Sequence, residues 1–202
     1  MQPLRIGEIV PALQVEAYLP DTRQFASLST QSVWERGHWL VLFFYPADFT
    51  FVCPTELADL GELYSSLQSR GVEVWAVSTD TIYAHLAWQT TEKLLSHIRY
   101  PMVADPTGQL SRLFGVYDEK TGLALRGTFI LTPEGQLVGS EITHYDVGRS
   151  AAELLRKIEA YVYVRTHPGE VCPAKWQPGQ KTLRPGANLV GQVAQALSTS
   201  PN

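Results

Sequence analysis

Two continuous apolar runs stand out in the pattern of hydrophobic and polar positions along this chain. The run Trp39–Tyr45 has no polar alternation, and Val72–Ser78 is almost as apolar. A strand with one face in water alternates apolar and polar residues, whereas a strand covered on both faces need not. Both runs therefore predict buried strands at the centre of a sheet.

Segments with helical spacing of apolar residues follow these strands. Gly71 is a suitable residue just beyond the end of the first helix, and Thr79-Asp80-Thr81 can cap the second. Asp105-Pro106-Thr107-Gly108 predicts a turn or cap before the third helix, and Ser150 caps the fourth. The predicted helices span about 54–70, 82–98, 109–114 and 151–164.

The remaining apolar segments predict two hairpins and a short strand. Turn chemistry at Pro20-Asp21 indicates an N-terminal hairpin, and Thr132-Pro133-Glu134-Gly135 joins strands at 128–131 and 136–140. A short strand is predicted at 100–103. This order of elements predicts an α/β fold with a mixed sheet and helices on both faces.

Proline and glycine become frequent from Thr166 onward, which is typical of an extended segment. We therefore expect a folded domain over 1–165 and a C-terminal arm over 166–202. The arm ends in a weakly amphipathic run from Leu189 to Leu197, which is too short and too poor in basic residues for a membrane helix.

Composition and charge exclude several classes of function. Of the 202 residues 45% are hydrophobic, and the net charge of −4 without a basic run argues against nucleic-acid binding. The N-terminus has no signal-peptide pattern, and no apolar stretch approaches the ~18 residues of a membrane span. The cytoplasm is the expected compartment.

The chain has two cysteines, Cys53 and Cys172, without the C-x-x-C spacing. Two cysteines are too few for a disulfide scaffold, so in a reducing compartment the pair is more often catalytic than structural. A zinc site would need four ligands, and the five histidines offer no paired spacing. We expect no metal and no other cofactor.

Cys53 follows a strand that stops at Pro46, and Pro54 with a helical pattern comes after it. Proline is favoured in the first helical turn, so Cys53 is expected at the helix start. Unpaired backbone N–H groups and the helix dipole favour a thiolate there. Thr50 can place a hydroxyl beside the sulfur. The alternative is a small buried hydrophobic residue, which needs neither the proline-ended strand nor the helix N-terminus.

Two motifs resemble those of one enzyme family. Pro46-x-x-x-Thr50-x-x-Cys53, within Phe49-Thr50-Phe51-Val52-Cys53-Pro54-Thr55-Glu56, is similar to the active-site motif of the typical 2-Cys peroxiredoxins. His167-Pro168-Gly169-Glu170-Val171-Cys172-Pro173-Ala174-Lys175-Trp176 resembles the resolving-cysteine segment of that group, in the form found in bacterial alkyl hydroperoxide reductase peroxidase subunits. The resemblance covers about residues 6–193 and implies a thioredoxin-like fold.

The resemblance assigns expected roles to individual residues. Cys53 would attack a hydroperoxide and become a sulfenic acid, and Cys172 of the other subunit would resolve it to a disulfide. Arg126 would lie near the sulfur, Thr50 would hydrogen-bond thiolate and peroxide, and Pro46 would shield the thiol. Glu56 and Arg149 would support the site, with Glu56 between the two arginines. A plainer alternative, such as a surface ion pair, a strand terminator or a helix cap, exists for five of these residues, namely Pro46, Thr50, Glu56, Arg126 and Arg149.

The expected partners follow from the same resemblance. They are a hydroperoxide substrate, a dithiol reductant (thioredoxin-like protein or flavoprotein disulfide reductase), and further copies of the chain in a homodimer or a ring of dimers such as a decamer.

Two other functions compete with the peroxidase. A thioredoxin-type disulfide oxidoreductase would need C-x-x-C, but Thr50 stands where its first cysteine would be. A redox-dependent ring with a holdase or peroxide-sensor role is a non-enzymatic alternative.

The sequence also bears on overoxidation. Peroxide-sensitive peroxiredoxins carry a Gly-Gly-Leu-Gly loop and a C-terminal Tyr-Phe, which slow the opening of the site. Here no glycine lies between Trp88 and Met102, and no aromatic residue follows Leu189. We therefore expect a protein that resists overoxidation. His85 and Trp88 are interpreted as ordinary helix residues without a chemical role.

Overall fold

The computed structural model describes residues 2–198. The chain divides into two compact units, Met1–Ala151 and Ala152–Asn202. The functional division that the sequence suggests at residue 165 stays a prediction.

The first unit is built on a seven-stranded mixed sheet. Its strands are β1 Gln14–Leu19, β2 Gln24–Ser29, β3 Trp39–Phe44, β4 Val72–Ser78, β5 Met102–Ala104, β8 Arg126–Leu131 and β9 Leu137–Thr143, with a separate pair β6 Tyr117–Asp118 and β7 Leu123–Ala124. The strand order is β2-β1-β5-β4-β3-β8-β9. Strand β3 is parallel to β4, and β4 to β5, while the other neighbours are antiparallel. The mixed sheet and the N-terminal hairpin β1–β2 are both confirmed.

Four helices belong to the first unit: α1 Thr30–Glu35, α2 Cys53–Gln68, α3 Ile82–Thr91 and α4 Gln109–Leu113. Helices α2 and α4 lie within two residues of their predicted bounds. Helix α1 was not predicted, because six residues are too few to show a helical period. Its signal is local, since the Ser29 hydroxyl caps it by accepting a hydrogen bond from the Gln31 backbone N–H at 3.2 Å.

The prediction of one continuous helix over 82–98 is wrong. Helix α3 ends at Thr91, and a 3₁₀ turn, Lys93–Leu95, follows. Glu92 between them has extended backbone angles, and its carboxylate accepts a hydrogen bond from the Leu94 backbone N–H at 3.1 Å. The apolar period continues across the break because the 3₁₀ turn still buries Leu95, so spacing alone does not reveal it.

The core explains why β3 shows no polar alternation. All six of its residues are buried. Leu40, Leu42 and Phe44 point into an apolar cluster with Val33 of α1 and Leu110 of α4 on one face of the sheet. Because side chains alternate along a strand, the intervening residues of β3 face the opposite side. Helix α2 packs against β4, and its buried leucines lie outside that cluster. Helices therefore cover both faces of β3, as predicted.

Helix α5, Ala151–Thr166, belongs to the second unit from its second residue onward, and a C-terminal segment with little regular structure follows it. An isolated antiparallel bridge joins Val171 to Leu183, and the chain continues through a 3₁₀ turn, Ala187–Leu189, to α6, Val193–Ser198. This agrees with the extended arm predicted from its proline and glycine content. Within residues 2–198, no helix combines the length and apolar character needed to cross a bilayer.

Candidate active site

Cys53 is the first residue of α2, and Pro54 follows it in the first helical turn. The sequence predicted this position from the proline and the strand before it. Val52 is the N-cap residue and makes no side-chain capping bond. The thiol is completely buried. It lies at the end of the helix where backbone N–H groups lack intrahelical partners, a position that favours negative charge.

Arg126, the first residue of β8, reaches the sulfur. Its Nη1 lies 3.4 Å from Cys53 Sγ and also donates to Glu56 Oε2 at 2.6 Å. The other edge of the guanidinium donates from Nε and Nη2 to the Tyr145 backbone carbonyl, at 2.9 and 2.6 Å. The planar group is therefore held on two sides, and its Nη1 is aimed at the thiol.

Glu56 joins Arg126 to Arg149. Its Oε1 accepts hydrogen bonds from the backbone N–H and the Nε of Arg149, at 2.7 and 2.9 Å. Arg149 also donates to Thr128 Oγ1 and to the Phe44 carbonyl, which ties it to the central strands. Gly148 permits this approach, because a Cβ there would lie only 3.2 Å from Val52 Cγ1. The sequence-based prediction places Glu56 between the two arginines, and the structure has it there.

Arg126, Glu56 and Arg149 form a buried group of charged side chains next to Cys53. The side chains of Arg126, Glu56 and Arg149 are 4%, 1% and 3% exposed, so water screens them poorly. Two guanidinium groups face one carboxylate. Burial would lower the pKa of Arg126, but the hydrogen bond with Cys53 and the charge of Glu56 raise it overall. The positive charge of Arg126 thus lies directly beside the sulfur of Cys53 in a poorly screened site.

Pro46 and Thr50 lie on the loop between β3 and α2. Pro46 is buried, as a residue that shields the thiol from water would be. The Thr50 hydroxyl donates to the Ala47 carbonyl at 2.8 Å, which leaves its oxygen lone pairs available as acceptors. The alternative interpretation of Thr50 as the N-cap of the helix is wrong, because Val52 occupies that position.

A buried polar network that the spacing of residues does not predict lies beneath this loop. Asp48 accepts hydrogen bonds from the Tyr45 hydroxyl at 2.7 Å and pairs with His85 Nδ1 at 2.8 Å. His85 Nε2 lies 3.1 Å from the Val103 carbonyl, and its side chain is completely buried. Asp80 accepts a hydrogen bond from the Asp48 backbone N–H at 2.9 Å. His85 is therefore a support for the loop rather than an ordinary helix residue.

Cys172 lies in the second unit, where it is partly exposed. Its Sγ is 3.9 Å from the Ala160 carbonyl of α5. Burial raises the pKa of the Cys172 thiol, the charge of Arg156 opposes that shift, and the charge of Glu170 adds to it. In this position the surroundings of Cys172 therefore disfavour its thiolate form.

Two protein-family profiles match this chain. The profile of the AhpC/TSA family matches residues 6–140, and that of the C-terminal domain of 1-Cys peroxiredoxin matches residues 160–189. The chain is 50% identical over 186 residues to alkyl hydroperoxide reductase C of Staphylococcus aureus, which covers 92% of this chain and 97% of that protein. The chain belongs to the AhpC/TSA family of peroxiredoxins.

Solved peroxiredoxin structures agree with this assignment. The crystal structure of Enterococcus faecalis AhpC is 44% identical, with a TM-score of 0.79 over 86% of this chain and all of that one. The reduced 2-Cys peroxiredoxin of Plasmodium vivax is 31% identical, with a TM-score of 0.87 over 98% of this chain and all of that one. The thioredoxin-like fold expected from the motifs is therefore confirmed, and the chain is a peroxiredoxin enzyme.

Proposed function

We propose that this peroxiredoxin reduces hydrogen peroxide and organic hydroperoxides with Cys53 as its nucleophile. The observation that carries the assignment is the 3.4 Å contact between Arg126 Nη1 and Cys53 Sγ in a buried cluster at a helix N-terminus. The cluster favours the thiolate and offers a cationic donor next to it. A nucleophile and a stabiliser of negative charge are the two requirements for cleaving an O–O bond.

In the first step, the Cys53 thiolate attacks the terminal oxygen of the hydroperoxide. A new S–O bond forms as the O–O bond breaks, sulfur is oxidised to sulfenic acid, and the alkoxide leaves and takes up a proton as alcohol, or as water from hydrogen peroxide. Arg126 stabilises the charge moving from sulfur to the leaving oxygen. The Thr50 oxygen accepts a hydrogen bond from the hydroxyl group of the bound peroxide, and Pro46 excludes water from the thiol.

Glu56 and Arg149 do not need to touch the substrate in this scheme. Glu56 fixes the Arg126 Nη1 that faces the sulfur, and Arg149 fixes Glu56 through both of its carboxylate oxygens, at 2.9 and 3.2 Å. A preorganised donor costs no reorientation during the reaction, which is the advantage of holding Arg126 from several sides.

In the second step, Cys172 of the partner subunit condenses with the sulfenic acid. Its sulfur displaces hydroxide, which leaves as water with the thiol proton, so a disulfide and one water result. The first turn of α2 unwinds to expose Cys53, and the arm over 166–202 carries Cys172 to it. An external dithiol, from a thioredoxin-like protein or a flavoprotein disulfide reductase, then exchanges with the disulfide and restores both thiols.

The assembly and compartment follow from this cycle. An intersubunit disulfide requires at least a homodimer, and we propose a ring of such dimers, as the family resemblance implies. Both cysteines must return to the thiol form after every turnover, which a reducing compartment supports. We therefore propose the cytoplasm as the location.

A covalent dimer after oxidation tests the second step. One equivalent of peroxide added to the reduced protein should produce a band of dimer size on a non-reducing gel, and Cys172→Ser should abolish it. The Cys172→Ser variant should still consume one equivalent of peroxide, because its Cys53 site is intact. An oxidised species of monomer size would instead indicate a disulfide within one subunit.

Resistance to overoxidation is a separate expectation. The segment after Trp88 lacks the glycine loop, and the chain beyond Leu189 lacks the aromatic residue, that slow opening in sensitive relatives. Easier opening lets Cys172 reach the sulfenic acid before a second peroxide does. Intact-mass analysis during turnover should show little sulfinic acid at sub-millimolar peroxide. Extensive addition of two oxygen atoms under those conditions would contradict the expectation.

A further inference from the structure

Cys172 lies inside a closed loop of the second unit. The backbones of Val171 and Leu183 exchange two hydrogen bonds, of 2.8 and 3.0 Å, and so bring together the two ends of the segment between them. Cys172 directly follows the closing residue. Within the loop, the buried Trp176 donates its indole N–H to the Gln180 carbonyl at 3.0 Å. The thiol therefore cannot move far unless this closure opens.

Glu170 fastens the closure to helix α5. Its Oε2 accepts hydrogen bonds from the Tyr163 hydroxyl at 2.8 Å and from the Thr182 hydroxyl at 2.5 Å, while its Oε1 accepts one from Arg184 Nη2 at 3.0 Å. Tyr163 belongs to α5, and Thr182 and Arg184 flank Leu183. The Glu170 carboxylate thus links helix α5 to both neighbours of Leu183, next to the point where the loop closes.

Tyr163, the residue of α5 that binds Glu170, is itself held in place by neighbouring aromatic rings. The Tyr163 ring stacks on His167 at 3.9 Å between centroids and packs against Trp176 at 4.9 Å. The Glu170 side chain is 13% exposed, whereas that of Arg184 is 80% exposed. Hydrogen bonds from the two sheltered hydroxyl groups, Tyr163 and Thr182, should therefore contribute more than the exposed ion pair.

We propose that Glu170 is a positioning residue that restrains Cys172, through a latch formed with Tyr163 and Thr182, and so limits the rate of disulfide formation. The proposal rests on the function assigned to Cys172 above. In the closed state the sulfur is held beside the Ala160 carbonyl, and a disulfide requires an S–S distance of ~2.0 Å to Cys53. The latch must open before the sulfenic acid and Cys172 can lose water and form that bond.

The latch requires the carboxylate form of Glu170, which persists far below neutral pH. Its hydrogen bonds, first those from Thr182 and Tyr163, lower the pKa of Glu170 to about 2. A lowered carboxyl pKa stabilises the folded arrangement above the ordinary value of ~4.3, and the stabilisation is lost only as the pH falls from there towards 2. Near neutral pH the latch opens by thermal fluctuation, so its strength sets how often Cys172 is released.

Three variants distinguish the effect of the hydrogen bonds to Glu170 from the effect of its negative charge. Tyr163→Phe and Thr182→Val each remove one hydroxyl donor with little change of shape and leave the carboxylate charged. Glu170→Gln removes the charge and weakens all three hydrogen bonds. The matched control is Glu119→Gln in the first unit, which removes a carboxylate that binds Arg112 at 2.7 and 3.0 Å.

The rate of disulfide formation after a single addition of peroxide is the main measurement. Each of the three variants should form the disulfide at least about threefold faster than the parent, a factor within the range that one hydrogen bond contributes. The fraction of sulfinic acid at a fixed peroxide concentration should fall in parallel. Glu119→Gln should match the parent, and the rate of the preceding sulfenic acid step should be the same in all five proteins.

The alkylation rate of Cys172 and its dependence on pH provide a second measurement of how readily the thiol is released. In a Cys53→Ser background, Cys172 is the only cysteine. All three variants should increase its alkylation rate at fixed pH. Glu170→Gln should also lower the pH midpoint of alkylation the most, because the charge of Glu170 raises the pKa of Cys172.

Unchanged or slower disulfide formation in the three variants would overturn the latch. So would faster formation in Glu170→Gln alone, which would indicate an effect of charge without restraint by the hydroxyl groups. These outcomes differ from failure of the proposed function, in which Cys172→Ser itself would leave the covalent dimer intact.

Discussion

Replacing Cys53 by serine should abolish peroxide turnover completely. A serine hydroxyl in the same place stays protonated near neutral pH and cannot accept an oxygen atom to form a sulfenic acid, whereas the thiolate can. The fold should survive, because the two side chains differ by one atom and the site is otherwise retained. Peroxide consumption with a coupled dithiol reductant measures the effect, and circular dichroism verifies folding.

The matched comparison is Cys172→Ser, which leaves the proposed nucleophile in place. It should reduce one equivalent of peroxide and then stop turning over with a dithiol reductant that acts on the disulfide. Multiple turnovers by Cys53→Ser would show that the nucleophile lies elsewhere and would overturn the proposed mechanism.

Replacing Arg126 by lysine should slow the reaction of Cys53 with peroxide by at least about tenfold, since loss of one positioned donor costs ~10²–10³ in related catalytic sites. Lysine keeps the positive charge but has a single ammonium group. It cannot contact Cys53, Glu56 and the Tyr145 carbonyl at once with the geometry of the guanidinium. Stopped-flow measurement of the first oxidation step isolates this effect from resolution.

Arg112→Lys is the control for this substitution. Arg112 makes a two-point contact with Glu119 on the surface of the same unit, where its side chain is 41% exposed. Its replacement should leave the peroxide step unchanged. If Arg126→Lys also reacted at the parent rate, the guanidinium geometry would be irrelevant, and the contact with the sulfur would reflect packing alone.

The position of Cys53 could be predicted from the sequence because each signal is local. An unbroken apolar run, a proline, and a second proline at the start of a helical pattern define the strand, the loop and the helix start. The contacts of Arg126 and Arg149 could be expected only through the family motif. Arg126 and Arg149 lie 70 and 93 positions from Glu56, and single-sequence spacing carries no information on such distant pairs.

Other features depend on tertiary contacts that the spacing of apolar and polar residues along the chain does not reveal. His85 has the spacing of any residue on a buried helical face, and only the fold brings Asp48 to its ring. Glu92 interrupts a helix without proline or glycine, through a side-chain hydrogen bond to the next turn. The latch at Glu170 joins a tyrosine of α5 and a threonine of the irregular segment, 7 and 12 positions away. Such contacts appear only in three dimensions.

The first turn of α2 carries both Cys53 and Glu56. In the proposed cycle, unwinding that turn to release the sulfur also pulls Glu56 away from Arg126 and Arg149. The guanidinium that faced the thiol loses its tether at the same moment as the thiol leaves. A subunit whose first turn is unwound for disulfide formation therefore cannot react with peroxide at the same time, because the contacts that hold Arg126 in place are broken.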